Sequence, residues 1–386
     1  MMTHGSDQAR DGFALPATLL AMIVIGAIVT GGFFLASQEH NISVSTDQGA
    51  RALHVAQYGL EEALGTWTGA DLARGPVAGS VYNGSRELGT YTLTPVRLGD
   101  PATGSRLHAI ISEAETGRHQ YRGARRVGTF VRTSAASLPY KSALSLIGQL
   151  DRQGGAVISG EDQCGAESAA TGVMAIEEGM VTGFYRGQEQ MIFGDPPADY
   201  DDEMTPETLS DFGEVTLADL MAMATRYYQG NPANPQHMAP ETTTTDAGTV
   251  CDRSVDLNWG DPDEFPGPCG DFYPLIHIDS DALLDVGRGQ GILVVDGNLT
   301  VLGNFEFSGI VIVTGSFVME GTGSKINGSV IVHGQGEIDT ENDQSGNARI
   351  QYDSCKVAEA LANNLRVRPL ASRAWFTDMP PLQAGI

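Results

Sequence analysis

Basic residues are scarce in this chain. Lys and Arg number 23 against 48 Asp and Glu, for a formal net charge of −25. Phosphate backbones are bound by clustered Lys and Arg, so nucleic acid is excluded as a partner for the bulk of the protein. The acidic excess reads instead as solubility in an exposed setting. Aromatic residues are also few, at 7%, while Gly is plentiful, at 48 of 386 residues. That bias suits a turn-rich β protein better than a helical one, and the length leaves room for two or three domains. Catalytic patterns are missing as well. The eight His are scattered, with no H-E-x-x-H and no pair at metal spacing, and G-x-S-x-G does not occur. GTGSK (321–325) lacks the spacer and the Lys-Ser/Thr ending of a phosphate-binding loop. No cofactor is expected. Four cysteines, Cys164, Cys251, Cys269 and Cys355, form no C-x-x-C pair, which removes the common zinc and redox motifs. In an exported chain they are expected to form two disulfides, with three pairings open; buried reduced thiols are the alternative.

What the sequence does have is one long apolar run, FALPATLLAMIVIGAIVTGGFFLA, uncharged from Phe13 to Ala36. It is too long for a secretory signal core of ~7–15 residues and lacks the basic start. It matches the ~20 residues that cross a bilayer. Beyond the polar break SQEH, Leu53, Ala56, Leu60, Ala63, Leu64 and Trp67 recur at steps of three and four, one face of a helix. Gly49 and Gly59 weaken that helix without cancelling the pattern. A single helix over 13–67, about 80 Å long at ~1.5 Å per residue, is expected. Its membrane half (13–36) is apolar all round, and its amphipathic half packs under a globular head.

After a Gly- and Ser-rich loop, runs at 88–98, 106–115 and 122–133 read as strands of a small antiparallel sheet, so that 68–137 completes an α+β unit. The chain then becomes mainly β. Gly291, Gly297, Gly303, Gly309, Gly315 and Gly321 are each six apart, as are Gly328 and Gly334. The apolar run at 292–295 recurs at 310–313 and again at 330–332. Such spacing predicts a β-solenoid over 138–352, with a first rung at 148–160 and an irregular insertion at 161–287. Ile292, Ile310 and Val330 are expected in one interior column, with rungs ~4.8 Å apart. A helical piece is expected at 206–228. A short helix near 353–365, within a C-terminal segment 353–386, reads as the cap of an open solenoid end, with Asp353 or Ser354 capping its start.

Candidate chemistry is thin. Asp296, Glu306 and Glu320 are carboxylates that line one solenoid face if the repeat holds. They motivate an alternative reading as a membrane-tethered carbohydrate-active enzyme, against a solvated face as the plainer account. Asp199, Asp201, Asp202 and Glu203, and separately Asp261, Asp263 and Glu264, are candidate calcium ligands, although neither cluster has the EF-hand spacing.

The opening stretch resembles the start of type IV prepilins. It has a short hydrophilic leader, 1–12, ending in Gly12, followed at once by Phe13 and the apolar helix. ARALHVAQYGLEEAL (50–64) resembles the A-x-A-x-x-A-E-A-G-L-E run of PilX-type minor pilins, with Gln57 and Tyr58 in place of Glu-Ala. SEAETGRHQYRGARRVGTFVR (112–132) is similar to the end of a pilin sheet. The resemblance covers about residues 1–135. It implies cleavage between Gly12 and Phe13 by prepilin peptidase, N-methylation of Phe13, and residence in the inner membrane with the head outside. Assembly with other pilins through the helix, by the pilus machinery, would follow, ending on the cell surface. Its implied function is non-enzymatic: pilus assembly or priming, with surface display or adhesion. One position departs from the pattern. Ala17 stands where most major pilins have Glu, which fits a minor subunit rather than the main fibre subunit. A single-pass membrane protein with an extracytoplasmic solenoid that joins no fibre is the alternative.

Overall fold

A computed structural model describes residues 14–73, 82–98, 107–117, 122–133, 136–230, 233–245, 248–263, 267–320, 323–339, 348–365, 367–370 and 375–377. The expected leader, Gly12, Phe13, Glu264 and Gly321 lie outside these residues.

The first element is one helix, α1 (Ala14–Thr66), of 53 residues. Pro16 falls in its first turn, where a missing N–H removes no helical hydrogen bond. From Leu19 to Ile42 its apolar side chains are bare; Phe33 is 78% exposed. Towards its end the 3–4 periodicity takes effect. Val55, Ala56, Leu60, Ala63 and Trp67 are buried against Tyr91, Leu93, Ile110, Ala114, Val127 and Val131. Those partners come from an antiparallel sheet of β1 (Tyr82–Arg86), β2 (Gly89–Arg97), β3 (Leu107–Thr116) and β4 (Gly123–Thr133). Gly59, read from sequence as a weak point, is a place where helix and sheet approach closely. A Cβ there would lie 2.6 Å from the Tyr91 ring. A five-residue helix, α2 (Gly69–Ala73), follows α1.

From Ser142 the sheets become parallel. β5 (Ser142–Leu146), β6 (Leu150–Arg152), β7 (Val157–Ser159) and β8 (Thr171–Ala175) come first. A small hairpin of β9 (Tyr185–Arg186) and β10 (Glu189–Gln190) leads to β11 (Ile192–Phe193) and β12 (Ala198–Tyr200). Helices α3 (Pro206–Leu209) and α4 (Leu217–Ala222) and strand β13 (Arg226–Tyr228) occupy the stretch expected to be one helix. The break is local chemistry. Thr216 and Asp219 form a capping box that starts a new helix after Gly213. An exposed hairpin, β14 (Thr242–Thr245) and β15 (Gly248–Cys251), stands off the body. Next come β16 (Leu275–Ile278), β17 (Ala282–Leu284), β18 (Gly287–Val295), β19 (Leu299–Val301), β20 (Phe305–Val313) and β21 (Phe317–Glu320). The run ends with β22 (Lys325–Val332), β23 (Gly336–Asp339) and β24 (Arg349–Gln351).

These strands form two parallel sheets. One has the order β13-β16-β18-β20-β22 and then forks, with β24-β7-β11 continuing from the first half of β22 and β5-β8-β12 from its second half. The other has the order β17-β19-β21-β23-β6. The segment 161–287, read from sequence as an insertion, thus supplies β8, β11, β12, β13, β16 and β17 to the sheets. Gly291, Gly309 and Gly328 lie in one register column, all at positive φ. Their backbones nearly touch: a Cβ on Gly328 would sit 1.8 Å from the Gly309 carbonyl oxygen. Only glycine fits such a bend.

The apolar runs are continuous because both faces of these strands are covered. Leu293, Val295, Val311, Val313, Val330 and Val332 point into the main core. Ile292, Val294, Ile310, Ile312 and Ile331 point the other way, into a second core under α3, α4 and a last helix, α5 (Ser354–Asn364). The expected single column of Ile292, Ile310 and Val330 is therefore corrected. Ile292 pairs with Ile310, but Val330 pairs with Val311 and lies on the opposite face. The step from β20 to β22 is one residue longer than the step before it, and one residue reverses the face.

A second correction concerns α5. Asp353 caps it, accepting a hydrogen bond from Lys356 N at 3.0 Å. The helix covers the lateral face of β18, β20 and β22 through Val357, Ala360 and Leu361 and does not close an open end. Beyond it, β25 (Val367–Pro369) and β26 (Trp375–Thr377) return to β4 and complete the first sheet.

Candidate assembly surface and the placement of the predicted residues

The most distinctive surface is the first half of α1. The helix is long and apolar enough to cross a membrane, and among the described residues nothing buries its most apolar window. Leu19, Leu20, Ile23, Val29, Phe33 and Phe34 are all exposed, Met22 at 73%. A helix that is apolar all round belongs in lipid or among other apolar helices. One Thr points the same way, since Thr30 turns its hydroxyl back to the Gly26 carbonyl at 2.7 Å and satisfies it within the helix.

The other half of α1 is held tightly by its own head. Glu62 accepts from the Tyr91 hydroxyl, and Arg86 reaches the Tyr58 hydroxyl and ring. Burial, with that bond to Glu62 adding to it, pushes the Tyr91 hydroxyl up to about 12. Thr116 Oγ1 donates to the Gln48 carbonyl at 2.8 Å. Just beyond α1, Gly69 N at the start of α2 donates to the carbonyl of Leu365, the residue after α5, at 3.0 Å, and Val367 N of the strand that follows donates to the Trp67 carbonyl at 3.1 Å. Arg132 pairs with Glu214 at 2.6 Å, and Ser137 N donates to the Phe212 carbonyl at 3.2 Å. The bare half of the helix is thus mounted on the first sheet, and that sheet is bound to the larger β body from two directions.

All four cysteines are paired, Cys164 with Cys355 and Cys251 with Cys269. The first joins the loop after β7 to the start of α5; the second fixes the exposed hairpin to the 259–272 loop. The three carboxylates expected on one face are separated. Glu306 lies in β20 and pairs in register with Lys325. Asp296 follows β18 and accepts from Thr314 Oγ1 at 3.0 Å. Glu320 ends β21, in the other sheet. The acidic clusters are likewise engaged within the protein. Asp201 accepts from the Tyr140 hydroxyl at 2.6 Å, which with the Glu203 amide holds its carboxyl below the usual range. Asp199 accepts from Tyr200 N at 2.9 Å, and Asp202 is exposed beside it. Asp263 pairs with Arg288 at 3.2 Å and the buried Asp261 approaches it at 3.7 Å.

Sequence reasoning named Asp296 but missed His277 and Asp279 beside it, the ligand atoms of the three lying within 4.8 Å of one another. Asp279 and Asp296 each follow the apolar run of successive parallel strands, so register alone was the available signal. Asp279 accepts from the Tyr227 hydroxyl at 2.6 Å, which lowers its carboxyl.

No protein-family model and no curated protein matches the chain. Among solved structures there is a weak, partial match to the crystal structure of the competence-associated pilin ComZ from Thermus thermophilus. The identity is 14% and the TM-score 0.24, over 86% of this chain and 98% of that one.

Proposed function

We propose that this chain is a non-enzymatic, PilX-type minor pilin-like subunit of a type IV pilus or a related secretion filament. The observation that carries the proposal is the division of α1. Its first half is left uncovered by the described residues, and its second half is clamped by its own sheet. A subunit built this way is held in the inner membrane by the bare half, with its head outside. It enters a fibre when that half exchanges lipid for the apolar helices of other pilins. The prepilin-like leader and the 50–64 run support the same reading. In it, prepilin peptidase cleaves between Gly12 and Phe13, and Phe13 becomes the methylated N-terminus. The assembly machinery then draws on the exposed helix. The parallel sheets, with their stacked glycines, form the β-solenoid of a displayed head that serves priming, adhesion or both. The two disulfides support an oxidising, extracytoplasmic setting for that head.

The test is the mass of the mature N-terminal peptide of membrane-extracted protein. A methylated Phe13 at the N-terminus is the expected result. A retained leader removes the fibre assignment and leaves a membrane-anchored extracytoplasmic solenoid protein.

A further inference from the structure

The first halves of β20 and β22 and strand β24 carry apolar residues on one side only. Phe307, Ile326 and Ile350 enter the core, and the residues between them face outward over a groove of about 580 Å³. The walls are the 161–163 loop, the start of α5 and the 262–263 loop. Along the groove floor the outward positions form two columns. Arg288, Glu306, Lys325 and Arg349 share one register; Gln290, Ser308, Asn327 and Gln351 share the other.

The ends of both columns are occupied by contacts within the protein. Arg288 pairs with Asp261 and Asp263. Gln290 donates to the carbonyls of Cys269, Gly270 and Phe272. Arg349 donates to Gln351, whose amide reaches the Glu161 carbonyl. Between these ends lies a square of four side chains: Glu306 opposite Lys325, and Ser308 opposite Asn327. Among the described residues these four make no side-chain hydrogen bond and no ion pair. Ser308 is nevertheless only 1% exposed. Polar groups withdrawn from bulk water normally find partners, and an array of one acid, one amine, one hydroxyl and one amide sets donors and acceptors side by side.

The chemistry of the lining selects the ligand. Of the 13 lining residues Pro262 alone is apolar, so an apolar ligand gains nothing there. The strand backbones are spent on their ladders, so a peptide cannot join as an added strand. Five carboxylates line the groove against three cations, which disfavours a polyanion. Lys325, at the centre, disfavours a cation. An uncharged chain of hydroxyls satisfies all four free groups. The strand repeat of ~4.8 Å is also close to the length of one sugar unit in an extended chain.

We propose that this groove binds an uncharged oligosaccharide, held by hydrogen bonds to Glu306, Ser308, Lys325 and Asn327. The site gives the displayed head of the preceding section a ligand class, and rests on that reading for its biological setting. The test uses the full chain in a zwitterionic detergent without sugar headgroups, titrated calorimetrically with cellohexaose, chitohexaose, mannohexaose and, as the anionic comparison, hexagalacturonate. At least one neutral hexasaccharide is expected to bind in preference to hexagalacturonate. Asn327→Ala and Lys325→Ala are each expected to weaken that binding about tenfold with the melting temperature unchanged, since both side chains point outward. The proposal is overturned if no neutral hexasaccharide binds, if hexagalacturonate binds best, or if both variants bind like the parent. Protein cleaved after Gly12 that binds none of these sugars loses the groove alone. Protein that binds one with its leader intact keeps the groove and loses the fibre assignment.

Discussion

Glu306 carries a carboxylate into a partly dry place. Burial first, then Asp263, raises its pKa, against the opposing pull of Lys325 and Arg288. A carboxyl with a raised folded pKa holds its proton more tightly in the native state than in the unfolded one. Stability is therefore lost as pH rises through the window above the ordinary value, because ionisation costs more in the fold. Glu306→Gln removes that cost. Urea unfolding should find the variant more stable than the parent at about pH 7, with the gap closing below the ordinary Glu pKa of ~4.3. A gap that widens on acidification would show that Glu306 is stabilising as an anion. Glycines give a second pair of tests. Gly309 has φ +135° and a Cβ there would meet the Gly291 carbonyl at 2.0 Å. Gly309→Ala is expected to cost at least about 1–3 kcal/mol from backbone strain alone. Gly65, near the end of α1, has nothing within 4 Å of its Cβ position. Gly65→Ala is expected to gain about 0.5–1 kcal/mol. Equal effects in thermal melts would remove the distinction drawn between the two sites.

α5 shows what a sequence withholds at the scale of elements. Its period was readable, as were a cap at Asp353 or Ser354, of which the structure uses Asp353, and the apolar stripe of Val357, Ala360 and Leu361. Its place was not, because a stripe says that a face is covered and not by what. The long helix and β2 to β4 were readable for a related reason: their signals are local periodicities that a single buried face explains. The runs at 292–295 and 310–313 showed burial, but the face each residue takes depends on register, and one added residue moved Val330 to the other side. β25 and β26 are three residues each and carry no pattern of their own; they are strands because β4 offers an edge. Of the site residues, the cysteines were legible and their pairing was not. Cys164–Cys355 spans 191 residues of sequence and Cys251–Cys269 spans 18. In the chain-entropy account a longer closed loop constrains the unfolded chain more, up to about 5 kcal/mol against about 3 for the shorter. Removing the first pair as Cys164→Ser with Cys355→Ser is thus expected to cost more in guanidinium unfolding than removing the second as Cys251→Ser with Cys269→Ser. Removing the first pair should also loosen α5, which hydrogen exchange across 354–364 would register. Unchanged protection there would mean that the lateral core alone holds α5.

At the scale of the whole molecule, the head is large relative to its mount. Roughly 250 residues lie beyond the α1-and-sheet unit, which amounts to a full additional domain. The head is linked to the first sheet by α5, which packs on the parallel sheets and leads into β25 on β4, and by the exposed Arg132–Glu214 pair. A fibre lattice that repeats this subunit closely would crowd. Ala17 bears on the same point. In the prepilins that the N-terminus resembles, Glu at this place pairs with the N-terminal amine of a neighbouring subunit inside the apolar fibre core. A buried charge left without its partner costs several kcal/mol there, on the order of 3–5. A subunit with Ala17 lacks that ordering contact, and it also needs no neighbour to neutralise a carboxylate. It therefore suits the one position where a neighbour is missing, the fibre tip, with its head facing outward. On that argument we propose a low-copy priming or tip role. Antibody against the parallel-sheet head, applied to sheared fibres, is expected to label ends and leave shafts clean. Ala17→Glu is expected to move some of the label into the shaft or to lower the number of fibres, because it restores the contact while keeping the crowding. Dense label along the shaft of the unaltered fibre would show that neither the size of the head nor Ala17 limits where the subunit sits.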